Sequence, residues 1–161
     1  MAIGLAATAT QCSSWMTDTH LVYLGLGSNL GDREEHLRVA IQKIERLIGT
    51  VVRQSAFYVS EPWGFESDNH FVNAVVACET SLSPLRLLKE TQAIEREMGR
   101  TQKSVNGVYH DRIIDIDILL YDDLRIDYPN LKIPHPLMHQ RDFVMIPLAE
   151  VLPLCVLGGH A

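Results

Sequence analysis

Cysteine is scarce in this sequence. Cys12, Cys78 and Cys155 are odd in number and far apart, which gives neither a disulfide framework nor a zinc spacing. Cys78, inside Val-Val-Ala-Cys-Glu, reads as a small core residue. No apolar run approaches the length of a membrane span. Cations are in deficit, with 14 Lys and Arg against 20 Asp and Glu, a net charge of −6 and a pI near 5.6. That balance argues against nucleic acid as the main partner. An acidic chain that binds an anionic substrate must gather its few cations locally. Residues 1–19 lack the basic region and longer apolar centre of a secretory signal; they are Ala/Thr/Ser-rich with Asp18 their only charge. They read as a disordered or expression-derived extension with Met16 a possible second start, and residues 20–161 as a single domain. The expected compartment is a reducing cytoplasm.

What is present is an ordinary core-forming composition, 47% hydrophobic in 161 residues. The densest apolar stretch is 111–121, Asp-Arg-Ile-Ile-Asp-Ile-Asp-Ile-Leu-Leu-Tyr, which reads as a buried central strand. Strand periodicity puts Asp115 and Asp117 on one face, about 6–7 Å apart, and Ile114, Ile116 and Ile118 on the other. Paired carboxylates resist ionising together unless a cation compensates them. Hard oxygen donors with no nearby His or Cys suit Mg²⁺, which keeps several waters and binds substrate phosphates as well. Arg112, near the entry to the strand, is placed to reach an anion held by that metal. The alternative is an edge strand whose solvent face simply carries charge.

The rest of the chain supplies elements around that strand. Leu21 to Leu26 reads as a first strand, and the G-x-G-x-x-x-G run from Gly25 to Gly31 as a tight strand-to-helix turn. Its spacing is one residue too long for a dinucleotide fingerprint. Asp32 and Glu35 form a capping box for a helix with an apolar face of Leu37, Ala40, Ile41, Ile44, Leu47 and Ile48, ending at Gly49. Val51 to Val59 is a second strand and Phe71 to Thr80 a third. Between them runs a polar loop, residues 60–70, with Trp63 and Phe65 either tucked onto the domain or closing over a flat ligand. Phe71 and Asn73 share a strand face, pairing a ring for stacking with an amide that both donates and accepts. Ser83-Pro84 opens a second helix that stops at Gly99. Gln92 and Glu95 share one side of it, and their spacing alone reads as a solvated helix face.

Residues 100–112 form the most basic loop of this acidic chain, with Arg100, Lys103 and Arg112 directly before the two aspartates. A polar loop of this length suits a mobile lid that carries cations onto phosphate. After the strand come a short segment, Leu124 to Tyr128, and then His135 held between Pro134 and Pro136, a candidate phosphate contact. Arg141 to about Val151 is a last helix.

Strand, helix, strand, strand, helix, strand is the split βαβ order. The expected fold is α+β, a ferredoxin-like βαββαβ sandwich whose antiparallel sheet carries two helices on one face. That fold does not decide function. Seven motifs follow in order: Gly27-Ser-Asn-Leu30, Tyr58-x-Ser-x-Pro62-x-Gly64, Phe71-x-Asn73-Ala74, Gln92-x-x-Glu95, Gly99-Arg100, Arg112-x-x-Asp115-Ile-Asp117-Ile118-Leu119 and Ile133-Pro-His135. Together, over about residues 21–153, the chain resembles the 6-hydroxymethyl-7,8-dihydropterin pyrophosphokinases of folate biosynthesis.

The resemblance implies transfer of pyrophosphate from ATP to the pterin, with two Mg²⁺ ions held by Asp115 and Asp117. It implies catalytic roles for Arg100 and Arg112 beside those aspartates. Ser60, Glu61, Trp63, Phe71, Asn73 and Phe143 would bind the pterin. Gln92, Glu95, Arg100, Tyr109, Arg112, Ile118, Leu131, Lys132, His135 and Arg141 would bind ATP. The inventory of metal, arginines and lids without a nucleophile suits phosphoryl transfer, which needs positioning and charge neutralisation. The pattern is departed from at His110-Asp111, where Gly-Pro is common, and at Tyr109, where Trp is common. Asn130, Lys132 and Pro136 also differ, which bears on the adenosine contacts. A monomer is expected, with neither nucleic acid nor membrane as partner. The competing classes are a ligand-binding regulatory domain, an RNA-binding domain and another Mg²⁺-dependent nucleotidyltransferase. The first leaves the aspartates without a role, and the second would want aromatics where they stand. The third would release pyrophosphate.

Overall fold

The computed structural model describes residues 19–61, 69–99 and 113–153. Its sheet is antiparallel throughout and runs β2-β4-β1-β5, with β3 also paired to β4. The strands are β1 (His20–Ser28), β2 (Gly49–Gln54), β3 (Tyr58–Ser60), β4 (Phe71–Thr80) and β5 (Asp115–Tyr121). Helix α1 (Arg33–Leu47) follows β1, α2 (Pro84–Glu97) follows β4, and α3 (Asp142–Val151) closes the described chain. A separate hairpin joins β6 (Ile126–Tyr128) to β7 (Leu131–Ile133). The chain is therefore α+β, as expected.

Strand parity divides the molecule. Even-numbered residues of β1 and β4 (Val22, Leu24, Leu26, Val72, Ala74, Val76, Cys78) pack with Leu37, Ala40 and Ile44 of α1 and Leu87 and Ile94 of α2. Ile114, Ile116 and Ile118 join that cluster. Tyr23, Val75, Ala77 and Leu119 point the other way and meet Val144, Leu148 and Val151 of α3. Two helices cover one face, as the split βαβ order predicts. The third, the last helix expected from Arg141 to about Val151, covers part of the opposite face, outside the split βαβ unit.

Helix ends follow the local chemistry. The Asp32 carboxylate accepts the Glu35 N–H at 3.3 Å, and Ser83 caps α2 through the Arg86 N–H at 3.4 Å with Pro84 in the first turn. Gly99 takes φ +99 just beyond α2, the left-handed stop that glycine permits. Gly49 is different. It does not end α1 with a positive φ but opens β2, where a Cβ would lie 2.0 Å from the Glu79 carbonyl oxygen. Close backbone approach, not helix termination, requires glycine there.

Three expectations change in detail. The second strand is two pieces, because Ser55 breaks the ladder: its Oγ accepts the Val75 N–H at 2.9 Å while its N–H bonds the Val75 carbonyl at 2.9 Å. Leu124 to Tyr128 resolves into the first arm of the β6–β7 hairpin. The strand bearing the aspartates is not central. Among the described residues β5 pairs only with β1 and forms the edge. Its apolar density has another cause, burial on both faces, with Ile116 and Leu119 each 1% exposed on opposite sides. Ile118 and Leu119 take opposite faces by ordinary strand alternation, and a register shift between Tyr23 and Leu24 leaves Leu119 and Leu120 both packed on the second face.

Candidate active site

Helix α3 covers only one end of its sheet face. At the other end, cross-strand register aligns Asp115 of β5, Gly27 of β1, Asn73 of β4 and Tyr58 of β3 in one row. The next row is Asp117, Gly25 and Val75. Residues directly opposite in a sheet share a face, so both aspartates stand beside Asn73 with only glycines between.

Those glycines lie within β1, not in the strand-to-helix turn their spacing suggested. The turn itself is made at Gly31, with φ +67. A Cβ on Gly27 would meet Asn73 Oδ1 at 3.2 Å and Phe71 Cδ1 at 3.4 Å. A Cβ on Gly25 would meet the Leu119 side chain at 3.4 Å. Without side chains at Gly25 and Gly27, the floor between carboxylates and amide is bare backbone, which the side chains of Asn73, Phe71 and Leu119 approach closely.

Asn73 is 4% exposed and held by its amide nitrogen, which donates to Ser60 Oγ at 2.7 Å and to the Tyr58 carbonyl at 3.3 Å. Its Oδ1 is thereby turned toward Gly27. Ser60 faces Phe71 across the ladder, and Glu61 follows it, exposed. Phe143, in the first turn of α3, packs against the cluster of Tyr23, Val75 and Leu119 on the same sheet face. The Arg141 guanidinium lies 5.7 Å from the Phe143 ring centroid and the residue is 8% exposed.

Further contacts brace this end of the face, and although Asn29 and Tyr58 stand in the motifs, their partners were not singled out from the sequence. Arg33 donates to the His70 carbonyl at 2.7 Å, and Asn29 Nδ2 to the Asn69 carbonyl at 3.5 Å, fixing the chain as it enters β4. Glu150 of α3 accepts the Ala56 N–H at 3.3 Å and bonds the Tyr58 hydroxyl, whose pKa it raises above the ordinary 10.0 by that hydrogen bond, with burial and the carboxylate's charge adding to it. Such tertiary partners carry no local spacing. The Gly27-Ser-Asn-Leu30 motif was the available signal for the Asn29 contact.

The nucleotide-side candidates among the described residues lie around β5 and the segments next to it. Glu95 is 3% exposed, and its carboxylate accepts the Ile116 N–H at 2.8 Å. The solvated face that its spacing suggested is therefore wrong for Glu95; Gln92, one turn earlier, is half-buried. Ile118 and Leu131 are 5% and 6% exposed and sit in the core beneath α1 and α2. Lys132 is exposed and ion-paired to Asp127. His135 is half-buried after a cis Ile133-Pro134 bond, its N–H on the Leu119 carbonyl at 3.0 Å and its Nδ1 accepting the Leu137 N–H at 3.3 Å. The carbonyl that holds it belongs to the strand of the aspartates. Trp63, Arg100, Tyr109 and Arg112 lie outside the described residues.

Known proteins carry the same pattern. The family model for 7,8-dihydro-6-hydroxymethylpterin-pyrophosphokinase (HPPK) matches residues 23–153. A 2-amino-4-hydroxy-6-hydroxymethyldihydropteridine pyrophosphokinase of Porphyromonas gingivalis is 55% identical over 134 residues, 83% of this chain and 91% of that protein. Enzymes of the same name from Aquifex aeolicus and Bacillus subtilis are 45% and 42% identical, over 82% of this chain and 80% and 78% of theirs. A crystal structure of an HPPK-DHPS in complex with substrates superposes with a TM-score of 0.68 at 15% identity, over 83% of this chain. Plasmodium falciparum HPPK-DHPS with pteroate gives 0.67 at 18% identity, over 84% of this chain. The chain spans only about 40% of the former and 39% of the latter, and at these identities the likeness concerns the fold. Register, floor and family model agree: the chain belongs to the 7,8-dihydro-6-hydroxymethylpterin-pyrophosphokinase family.

Proposed function

We propose that the protein transfers the β,γ-pyrophosphoryl group of ATP to the hydroxymethyl oxygen of 6-hydroxymethyl-7,8-dihydropterin, a step of folate biosynthesis. The observation that carries this is the row Asp115, Gly27, Asn73 on one sheet face, the function its relatives are named for supplying the chemistry. The strand order β2-β4-β1-β5, with a helix after β1 and another after β4, supports the ferredoxin-like description of the scaffold.

The residues divide the work. The pterin ring lies on the glycine floor between Phe71 and Phe143, with Asn73 Oδ1 accepting from its edge and the chain at Ser60 and Glu61 bordering it. The hydroxymethyl oxygen attacks the β-phosphorus, and the bond from that phosphorus to the α,β-bridging oxygen breaks. AMP leaves with that oxygen, and the hydroxyl proton passes to solvent. Arg100 and Arg112 neutralise charge on the transferring group.

Asp115 and Asp117 would hold the two Mg²⁺ ions. The donor set fits: no group of three or more His, Cys, Asp and Glu gathers among the described residues, whereas two carboxylates on one strand suit an ion that takes its other oxygens from phosphate and water. When bound, Mg²⁺ supplies compensating charge for the triphosphate. Gln92, Ile118, Leu131, Lys132, His135 and Arg141 border the nucleotide around β5. In this reading the protein acts as a cytoplasmic monomer on these two small molecules.

Product analysis tests the reading. Mixed with ATP, Mg²⁺ and the pterin, the protein is expected to form AMP and pterin diphosphate in equal amounts, abolished by EDTA. ADP would indicate an ordinary kinase, and free pyrophosphate a nucleotidyltransferase. Tight pterin binding without turnover would point to a binding module.

A further inference from the structure

Asn73 carries both halves of an amide, yet the sheet occupies one of them. Its nitrogen donates to Ser60 Oγ at 2.7 Å and to the Tyr58 carbonyl at 3.3 Å. An amide nitrogen has two protons, so both are taken. The Tyr58 carbonyl can only accept, which settles the orientation of the amide: nitrogen toward β3, oxygen toward Gly27. Tyr58 stands directly across the ladder from Asn73, so a backbone group sets this polarity. What Asn73 leaves for a ligand is an acceptor alone.

The consequence falls on Ser60. A hydroxyl has one proton and two lone pairs. One lone pair of Ser60 receives the Asn73 amide, and among the described residues nothing accepts the hydroxyl proton. Ser60 is half-buried and pairs with Phe71, two residues along from the Tyr58–Asn73 pair, so its side chain shares the face of Asn73. A hydroxyl that accepts an N–H is polarised, which strengthens the bond its own proton makes. With the amide turned the other way, that proton would go to Asn73 Oδ1. The relay of Tyr58 carbonyl, Asn73 nitrogen and Ser60 oxygen instead releases one proton beside the lone pairs of Asn73 Oδ1.

We propose that the Ser60 hydroxyl is a specificity-determining hydrogen-bond donor to the substrate ring. Ser60 and Asn73 then divide between two side chains the donor and the acceptor that a single unpinned amide could supply. The pair fits a planar nitrogen heterocycle that presents an N–H and a bare ring nitrogen or carbonyl oxygen close together on one edge. The proposal rests on the placement of the pterin on this face.

The test compares Ser60→Val, Ser60→Thr and Asn73→Leu. Valine and threonine are alike in shape and differ in the hydroxyl. Pterin affinity is measured by calorimetric titration in the presence of a non-hydrolysable ATP analogue, and bound pterin labelled with ¹³C and ¹⁵N is observed by NMR. Ser60→Val is expected to bind pterin about three- to tenfold more weakly, the loss of one neutral hydrogen bond. It should also move the resonance of one ring acceptor, a nitrogen or the carbonyl carbon, while Ser60→Thr keeps that resonance at its parental position. Valine suits a strand, and Ser60→Ala repeats the comparison with a smaller side chain. Ring acceptors that stay unmoved in folded Ser60→Val and Ser60→Ala would overturn the proposal whatever the affinities, because a residue that only braces Asn73 would disturb the ring N–H and not an acceptor. A Ser60→Thr shift as large as that of valine would overturn it too. If Asn73→Leu binds pterin with parental affinity, the placement of the ring fails and takes this proposal with it. If Asn73→Leu loses tenfold or more and the acceptors still do not respond to Ser60, the donor role alone is refuted.

Discussion

Replacing Gly27 with valine separates the fold from the site. Gly27 lies in β1 with no positive φ, so the backbone accepts a β-branched residue and strand propensity favours it. A Cβ there sits 3.2 Å from Asn73 Oδ1 and 3.4 Å from Phe71 Cδ1. The valine methyls project about 1.5 Å further, a single carbon–carbon bond, into the space above the floor. In a closed core such overpacking costs about 1–3 kcal/mol. Here the methyls point to the uncovered end of the face, and losing a strand glycine returns about 0.5–1 kcal/mol. Net stability should change by no more than about 1–2 kcal/mol. Pterin binding should suffer far more, by at least about tenfold, or 1.4 kcal/mol, because the methyls occupy the plane of the ring. Urea denaturation measures the first quantity and calorimetric titration with the pterin and a non-hydrolysable ATP analogue the second. A Gly27→Val protein that binds pterin with parental affinity would refute the floor, and with it the placement of the ring between Phe71 and Phe143.

Asp117→Ala should fold and lose at least about a hundredfold in turnover, consistent with the loss of a group that stabilises transferring charge; normal turnover would remove the aspartate pair from the mechanism. The Cys78 thiol, 0% exposed, has its pKa pushed up from 9.0 to about 12, chiefly by burial and then by the charges of Glu45 and Glu79. It should therefore resist iodoacetamide at pH 8 until the protein is unfolded, and rapid labelling of the native state would contradict its burial. Because the folded thiol keeps its proton longer than the unfolded one, its contribution to stability is complete below about pH 9 and declines as pH rises toward 12. Glu150→Ala removes the acceptor on the Tyr58 hydroxyl and should bring that phenol's titration down toward 10.0, read by absorbance near the phenolate band; an unchanged titration would deny the contact between α3 and β3.

Elements written in local periodicity were legible from sequence. Phe71 to Thr80 is a strand over the residues expected, and the Asp32 and Ser83 caps form where their side chains predicted. The pairing of Phe71 with Asn73, and of Asp115 with Asp117, followed from strand parity alone. What periodicity does not encode is which edge a strand pairs on. Dense isoleucine looked central in β5, although burial on both faces produces the same pattern at an edge. Glu95 was misread for a related reason, since a carboxylate at helical spacing looks solvated until the strand amide that receives it is known. The glycine floor was hidden because a G-x-G run signals a turn more often than a gap in a sheet. Ser55 split a strand by offering its own hydroxyl to β4, which a run of residues from Val51 to Val59 does not announce.

The platform of β1, β4 and β5 also bears on inhibition. A compound laid on the floor above Gly25 and Gly27 would touch groups set by the sheet ladder: Asn73, pinned by Ser60 and the Tyr58 carbonyl, and two aspartates on adjacent rows. Escape by substitution at either glycine would raise the floor under inhibitor and substrate alike. Resistance would have to arise at the rim, among side chains that the sheet does not fix, and an inhibitor no larger than the pterin ring would leave few such positions to change.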